Sequence, residues 1–176
     1  MLNEAIKLAV DAHAGVLDKA GQPYIYHSLR VMLAVQHLGV EHAVVAVLHD
    51  VVEDTPISLQ DLIWAGYPPS VVDGIDSVTK RPGAETYRDF CIRSFQHPIG
   101  RDVKHADIRD NLERLSGLPD ENERTGLERR YRWALRLHDY MKSGMVLWPH
   151  TCANGKKKPY PSEVCDACNP IERSPG

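Results

Sequence analysis

Apolar residues recur along most of this chain three and four positions apart, the spacing of one helix face. Ala5, Ile6, Ala9, Val10 and His13 share such a face and predict a helix over residues 4–14. Gly15, Gly21 and Pro23 break the pattern and mark a loop that carries Asp18, Lys19 and Gln22. The period resumes at Tyr24 and continues through Leu33, Ala34 and Leu38 until Gly39 stops it. Residues 41–54 behave differently. The run Ala43-Val44-Val45-Ala46-Val47-Leu48 is apolar on nearly every side, which predicts the central, buried helix of a bundle, ended by Pro56. Ser58 is placed to cap a short helix through Trp64. Amphipathic helices follow over residues 70–79, 85–94, 100–115 and 121–141. Past residue 143 the period is lost and Pro, Lys, Asn and Ser dominate. The predicted fold class is therefore all-α: a helical bundle over residues 1–143 and a short irregular tail over 144–176. Nothing strand-like of any length is expected, and there is no internal repeat.

Composition narrows the function only a little. A 43% hydrophobic, 26% charged chain of 176 residues is ordinary for a soluble globular domain. A net charge of −3 gives no polycationic footprint for nucleic acid. No apolar run approaches membrane length, and Met1-Leu2-Asn3-Glu4 does not open a secretory signal, so a cytoplasmic protein without a membrane partner is expected. Four cysteines do not suggest a disulfide scaffold, and Cys91 reads as a small buried hydrophobe. Nine histidines mildly favour a metal enzyme. Nothing sets the oligomeric state.

The candidate chemistry sits at the end of the buried run. His49-Asp50-Val51-Val52-Glu53-Asp54-Thr55 closes it with four ionisable groups, and a buried charge costs several kcal/mol unless paired or bound to a metal. On a continuous helix all four side chains leave from one side. A polar helix end facing solvent is the plain alternative to a metal site with a carboxylate pair beside it. More ligands are available from two other predicted helices. His27 sits at a helix start, and Asp107 lies beside the apolar positions Val103 and Ala106 and needs a partner. Alone, His27 would be structural. Together, His27, His49, Asp50 and Asp107 suit Mn²⁺, Fe²⁺, Zn²⁺ or Mg²⁺. No cysteine is near enough in sequence to make a closed structural zinc there. Lys104, Lys80, Arg81, Arg88 and Arg109 are charges available to phosphate oxygens, Lys104 first. The Lys80-Arg81-Pro82-Gly83 loop reads equally well as a solvated turn. Tyr24 or Tyr87 could stack on a base or fill a rim. His13 is a packed core histidine or a hydrogen-bonder behind the site.

Pro23-Tyr24-Ile25-x-His27, then His49-Asp50-x-x-Glu53-Asp54-Thr55, then Val103-Lys104-x-Ala106-Asp107-x-x-x-Asn111-Leu112 resembles the HD-domain phosphohydrolases. Within them it is similar to the hydrolase domain of the RelA/SpoT family and its small single-domain relatives, across roughly residues 2–140. The resemblance implies an HD-domain helical bundle. It implies His27, His49, Asp50 and Asp107 as metal ligands, with Mn²⁺ the usual ion. It implies Glu53 and Asp54 as the pair that positions and activates the attacking water, and Asn111 near the substrate's sugar and phosphate. The activity implied is hydrolysis of the 3′-pyrophosphate of (p)ppGpp, a small nucleotide, with pyrophosphate released; some small relatives act on NADPH or other phosphorylated nucleotides. Two positions depart from the pattern. An Arg-Lys-type pair near the guanine is replaced by Asp18-Lys19, so Lys19 alone keeps the charge. His105 stands where the hydrolases usually have Leu. Guanine selection therefore stays open against a dNTP or NADPH, and a nucleotide-sensing module is a third reading.

In the tail, His150-x-Cys152 and Cys165-x-x-Cys168 are spaced like a Cys₃His zinc knuckle, with a tail of free thiols as the alternative.

Overall fold

The computed structural model describes residues 1–143 and, for their backbone alone, residues 150–151 and 157–158. Helices form where the periodicity places them. They are α1 (Leu2–Ala12), α2 (Ile25–Val35), α3 (Val40–Leu48), α4 (Val51–Asp54), α5 (Leu59–Trp64), α6 (Pro69–Val78), α7 (Tyr87–Gln96), α8 (Pro98–Glu113) and α9 (Glu121–Lys142). The fold is all-α. A two-residue antiparallel pairing, His150 with Lys158 and Thr151 with Lys157, is a strand-like element the sequence did not predict. Two residues a side are too few to leave a two-residue alternation that can be read.

The chain divides into two compact units, residues 1–111 and 112–176. In the first, α3 is the axis and packs against α1, α2 and α6. Ala43 through Leu48 are all buried, as the unbroken apolar run required. Each Val or Leu there contributes roughly 1.5–3 kcal/mol by leaving water. Ala5 and Ala9 of α1, Val31 and Val35 of α2, and Val71, Ile75 and Val78 of α6 complete the same core. Gly39 joins α2's final 3₁₀ turn to α3 with φ 124°, a conformation open to glycine and strained for other residues. At Gly100, in the first turn of α8, a Cβ would meet Ser77 Oγ of α6 at 2.0 Å, so the two helices approach as closely as they do only because no side chain intervenes. Ser58 caps α5 as expected, in a reciprocal capping box with Asp61, and Thr86 does the same for α7 with Asp89.

The central helix is not continuous. It runs to Leu48, breaks at His49-Asp50, where Asp50 takes φ −100° and ψ −5°, and resumes as the single turn α4. Hydrophobic periodicity cannot reveal such a break, because Val51 is as buried as Leu48 on the other side of it. In the second unit, Leu115 and Leu118 are buried, and α9 buries Trp133, Ala134, Leu137 and His138 on one face.

Candidate active site

Three segments of the first unit converge: the first turn of α2, the α3–α4 break, and the middle of α8. His27, His49 and Asp107 are buried there, and Asp50 is nearly so. His27 Nε2 stands 3.2 Å from His49 Nε2, 3.2 Å from Asp107 Oδ1 and 3.7 Å from Asp50 Oδ2. His49 Nε2 lies 2.9 Å from Asp50 Oδ2 and 3.8 Å from Asp107 Oδ1. Donors about 2.1 Å from one ion and at right angles around it stand about 3.0 Å apart, so His27, His49 and Asp50 fit one small divalent cation, with Asp107 against both histidines.

The other ring nitrogens support the fit. His49 Nδ1 lies 2.8 Å from the Ala46 carbonyl, which can only accept, so Nδ1 carries the hydrogen. His27 Nδ1 lies 2.8 Å from Asp110 Oδ2, again an acceptor. In the neutral rings both Nε2 atoms therefore present lone pairs. Two imidazole lone pairs and an Asp50 oxygen lie within reach of one ion, and Asp107 adjoins both rings. That is the chemistry of a cation site, with each histidine braced from behind.

Without a metal, protons take up part of that role. Burial pushes the His27 pKa down, but hydrogen bonds donated to Asp107 and Asp110 outweigh it and lift it to about 10. Burial also opposes charge on His49, and neighbouring Asp50 reverses that. Desolvation works against ionised Asp107, yet Lys104 and the two histidines hold it well below the usual carboxylate range.

The other residues expected at the site surround this cluster. The Tyr24 hydroxyl donates to Asp50 Oδ2 at 2.5 Å, and its ring packs 4.9 Å from His13 and 5.6 Å from His27. Lys104, the first choice for phosphate, is largely enclosed: its ammonium bonds Asp107 Oδ2 at 2.8 Å and sits over the Phe90 ring. The Asn111 amide donates to Asp107 Oδ1 at 2.5 Å. All three side chains hydrogen-bond Asp50 or Asp107. His13 is buried against Tyr24, with Nε2 lacking a hydrogen-bond partner among the described residues.

Glu53 and Asp54 follow on α4, past the helix break, and Asp54 lies close enough to Asp50, His49 and Tyr24 to interact with all three. Glu53 accepts the Lys80 backbone N–H at 2.8 Å, tying α4 to the basic loop. Partial desolvation, then the charges of Asp50 and Glu53, raise the Asp54 pKa to about 6. Lys19 is exposed on the loop before α2. Asp18 beside it is a knot in that loop: its Oδ1 accepts the Ala20 and Gln22 amides at 2.9 and 2.8 Å. His150, Cys152, Cys165 and Cys168 lie outside the residues whose side chains are described. Asp110 and Arg30 were missed. Each follows a named ligand by three positions on its helix, Asp107 and His27, and that one-turn spacing was the available signal.

Fold and cluster together define the class: an all-helical domain of the HD type, with a His-Asp doublet ending a buried helix and a His and an Asp supplied by two others. Its relatives are specific. The chain is 32% identical over 139 residues to the bifunctional (p)ppGpp synthase/hydrolase SpoT of Escherichia coli, covering 72% of this chain and 20% of that protein. It is 33% identical over 134 residues to a guanosine-3′,5′-bis(diphosphate) 3′-pyrophosphohydrolase of Haemophilus influenzae, covering 69% and 20%. A solved structure described as a metazoan ortholog of SpoT that hydrolyses ppGpp shares the fold, with TM-score 0.63 and 20% identity over 81% of this chain and 95% of that one. No family model matches. The chain is thus a relative of the SpoT-type proteins, and it spans about a fifth of the length of the curated relatives it matches.

Proposed function

We propose that this chain is a metal-dependent phosphohydrolase acting on a nucleotide, with the 3′-pyrophosphate of a (p)ppGpp-like nucleotide its leading substrate. The observation that carries the reading is the convergence of four acceptor atoms, from His27, His49, Asp50 and Asp107, beside the Glu53-Asp54 pair. The names of the relatives, synthase/hydrolase and 3′-pyrophosphohydrolase, support it. In this reading those four side chains hold one divalent ion, with Mn²⁺ the favoured species. Such an ion, when bound, acidifies a water and withdraws charge from a phosphoryl oxygen.

The chain's own residues do the rest. Asp54, with a pKa near 6, is matched to taking a proton from water near neutral pH. Glu53, fixed by the Lys80 amide, orients that water and cannot swing away without losing its hydrogen bond. Lys104 and Asn111 fix Asp107, and Tyr24 fixes Asp50, so that the donor oxygens face inward. Lys19 meets substrate from the loop. Residues 1–143 act as the hydrolase domain, in the cytoplasm where nucleotide substrates are held.

A second reading, hydrolysis of a dNTP or NADPH, is favoured by one observation. Asp18 spends its carboxylate on the loop itself, leaving one cation where a guanine-binding pair would stand. The test is the purified protein with Mn²⁺ against a nucleotide panel, scoring pyrophosphate against orthophosphate, with metal analysis of the same sample. Pyrophosphate from ppGpp supports the first reading, and orthophosphate from another nucleotide the second. A nucleotide retained without turnover points to a sensing module. Asp50→Ala should lose metal and activity, and Glu53→Gln should keep the metal and lose most of the rate. Full turnover by either variant would sink the assignment.

A further inference from the structure

We propose that Asp110, clamped by Arg30, is a positioning residue that fixes His27 as a metal donor. The inference rests on the metal-site reading above and adds two residues, Asp110 and Arg30, that the motifs quoted above leave unspecified.

His27 and Arg30 lie one turn apart on α2, and Asp107 and Asp110 lie one turn apart on α8. The two helices therefore meet through two matched pairs. His27 Nε2 faces Asp107 at 3.2 Å, and His27 Nδ1 faces Asp110 at 2.8 Å. The imidazole is gripped by both nitrogens. A ring flip would put carbon atoms against both carboxylates, so one orientation remains. Arg30 then holds Asp110. Its Nε donates to Oδ1 at 2.5 Å and its Nη2 to Oδ2 at 2.9 Å, a bidentate fork that stops the carboxylate from rotating.

The two metal-type histidines are unequally braced. His49 leans on a backbone carbonyl, a neutral acceptor. His27 leans on a carboxylate, which adds electron density to the ring and makes Nε2 the stronger donor. The carboxylate can sit at this nearly buried position because Arg30 balances its charge while the guanidinium keeps one edge toward solvent, with the Arg30 side chain 34% exposed and that of Asp110 12% exposed. Removing Arg30 thus loosens the brace without opening the core. Removing Asp110 deletes it.

The experiment is calorimetric titration of Mn²⁺ into the metal-free full chain, as wild type, Asp110→Ala, Asp110→Asn and Arg30→Ala, with a circular dichroism melt of each. Asp110→Ala should bind Mn²⁺ about 10–100-fold more weakly, the usual cost of losing such a brace. Asp110→Asn keeps shape and an acceptor oxygen but no charge, and should fall between. Arg30→Ala should weaken binding less than Asp110→Ala. In the Zn²⁺-loaded wild type, nitrogen-15 NMR should show a hydrogen on His27 Nδ1 slowed in exchange, and Asp110→Ala should lose that protection. If Asp110→Ala does not fold, the near-isosteric Asp110→Asn decides. Folded Asp110 variants that bind Mn²⁺ within about twofold of wild type would overturn the proposal and leave the metal site standing. A wild type that takes up no Mn²⁺ would overturn the metal site itself, and this brace with it.

Discussion

In the metal-free protein, Asp54 keeps its proton until about pH 6, because partial desolvation and then the charges of Asp50 and Glu53 disfavour the carboxylate. A carboxyl raised above its ordinary value favours the folded state only while protonated. Its contribution is present below pH 3.8 and is lost as pH rises from there through 6. Asp54→Asn should therefore raise the melting temperature of metal-free protein at about pH 8 and leave it nearly unchanged near pH 3. Equal shifts at both ends would show that Asp54 is not strained. His27 runs the other way at its own range. Its stabilising contribution without metal is complete below its ordinary 6.5 and fades as pH climbs through 10. Mn²⁺ must displace that proton, so its affinity should rise with pH across this window, which titrations at several pH values would read directly.

At the scale of elements, the close approach of α6 and α8 is a sharper constraint than any single apolar contact. Gly100→Ala puts a methyl group onto Ser77 Oγ, which is buried and already donates to the Gly74 carbonyl. Overpacking of this kind should cost about 1–3 kcal/mol by denaturant unfolding. Adding Ser77→Ala should recover part of it, since the nearest atom is then gone. Gly100 appeared in the sequence only as a helix start, because one residue cannot show what another helix brings against it. The helices themselves were legible, since each buries one periodic face. The proximity of these groups was also legible: His27, His49 and Asp50 cluster, and Asp107 adjoins both histidines. The roles of Lys104, Tyr24 and Asn111 were not. A cation, a phenol and an amide near a phosphate-type motif read as substrate contacts, and only distances reveal that they also hydrogen-bond Asp107 and Asp50. Asp110 escaped for a related reason, since an acid one turn past a ligand looks like a solvated face until Arg30 is placed beside it.

For the whole molecule, four converging acceptors make folding and metal binding one problem. A cation that binds only the folded chain at a hundred times its Kd adds about 2.7 kcal/mol of stability. Thermal melts should therefore shift upward with Mn²⁺ and return with a chelator, and Asp107→Asn should flatten that response. Among the described residues no helix is long and apolar enough to cross a membrane.

The break at His49-Asp50 also divides the chain by time. Amides of α3 lie in the innermost core, so their exchange with heavy water should wait for the global opening of the fold. Beyond the break, α4 is a single turn with one fully buried residue, and the Asp54 amide is held by one bond to the Asp50 carbonyl. That turn should open and close many times while the doublet behind it stays shut. The donors would then belong to the slow clock of the core and the acidic pair to the fast clock of the surface, letting a nucleotide come and go past a site that does not loosen.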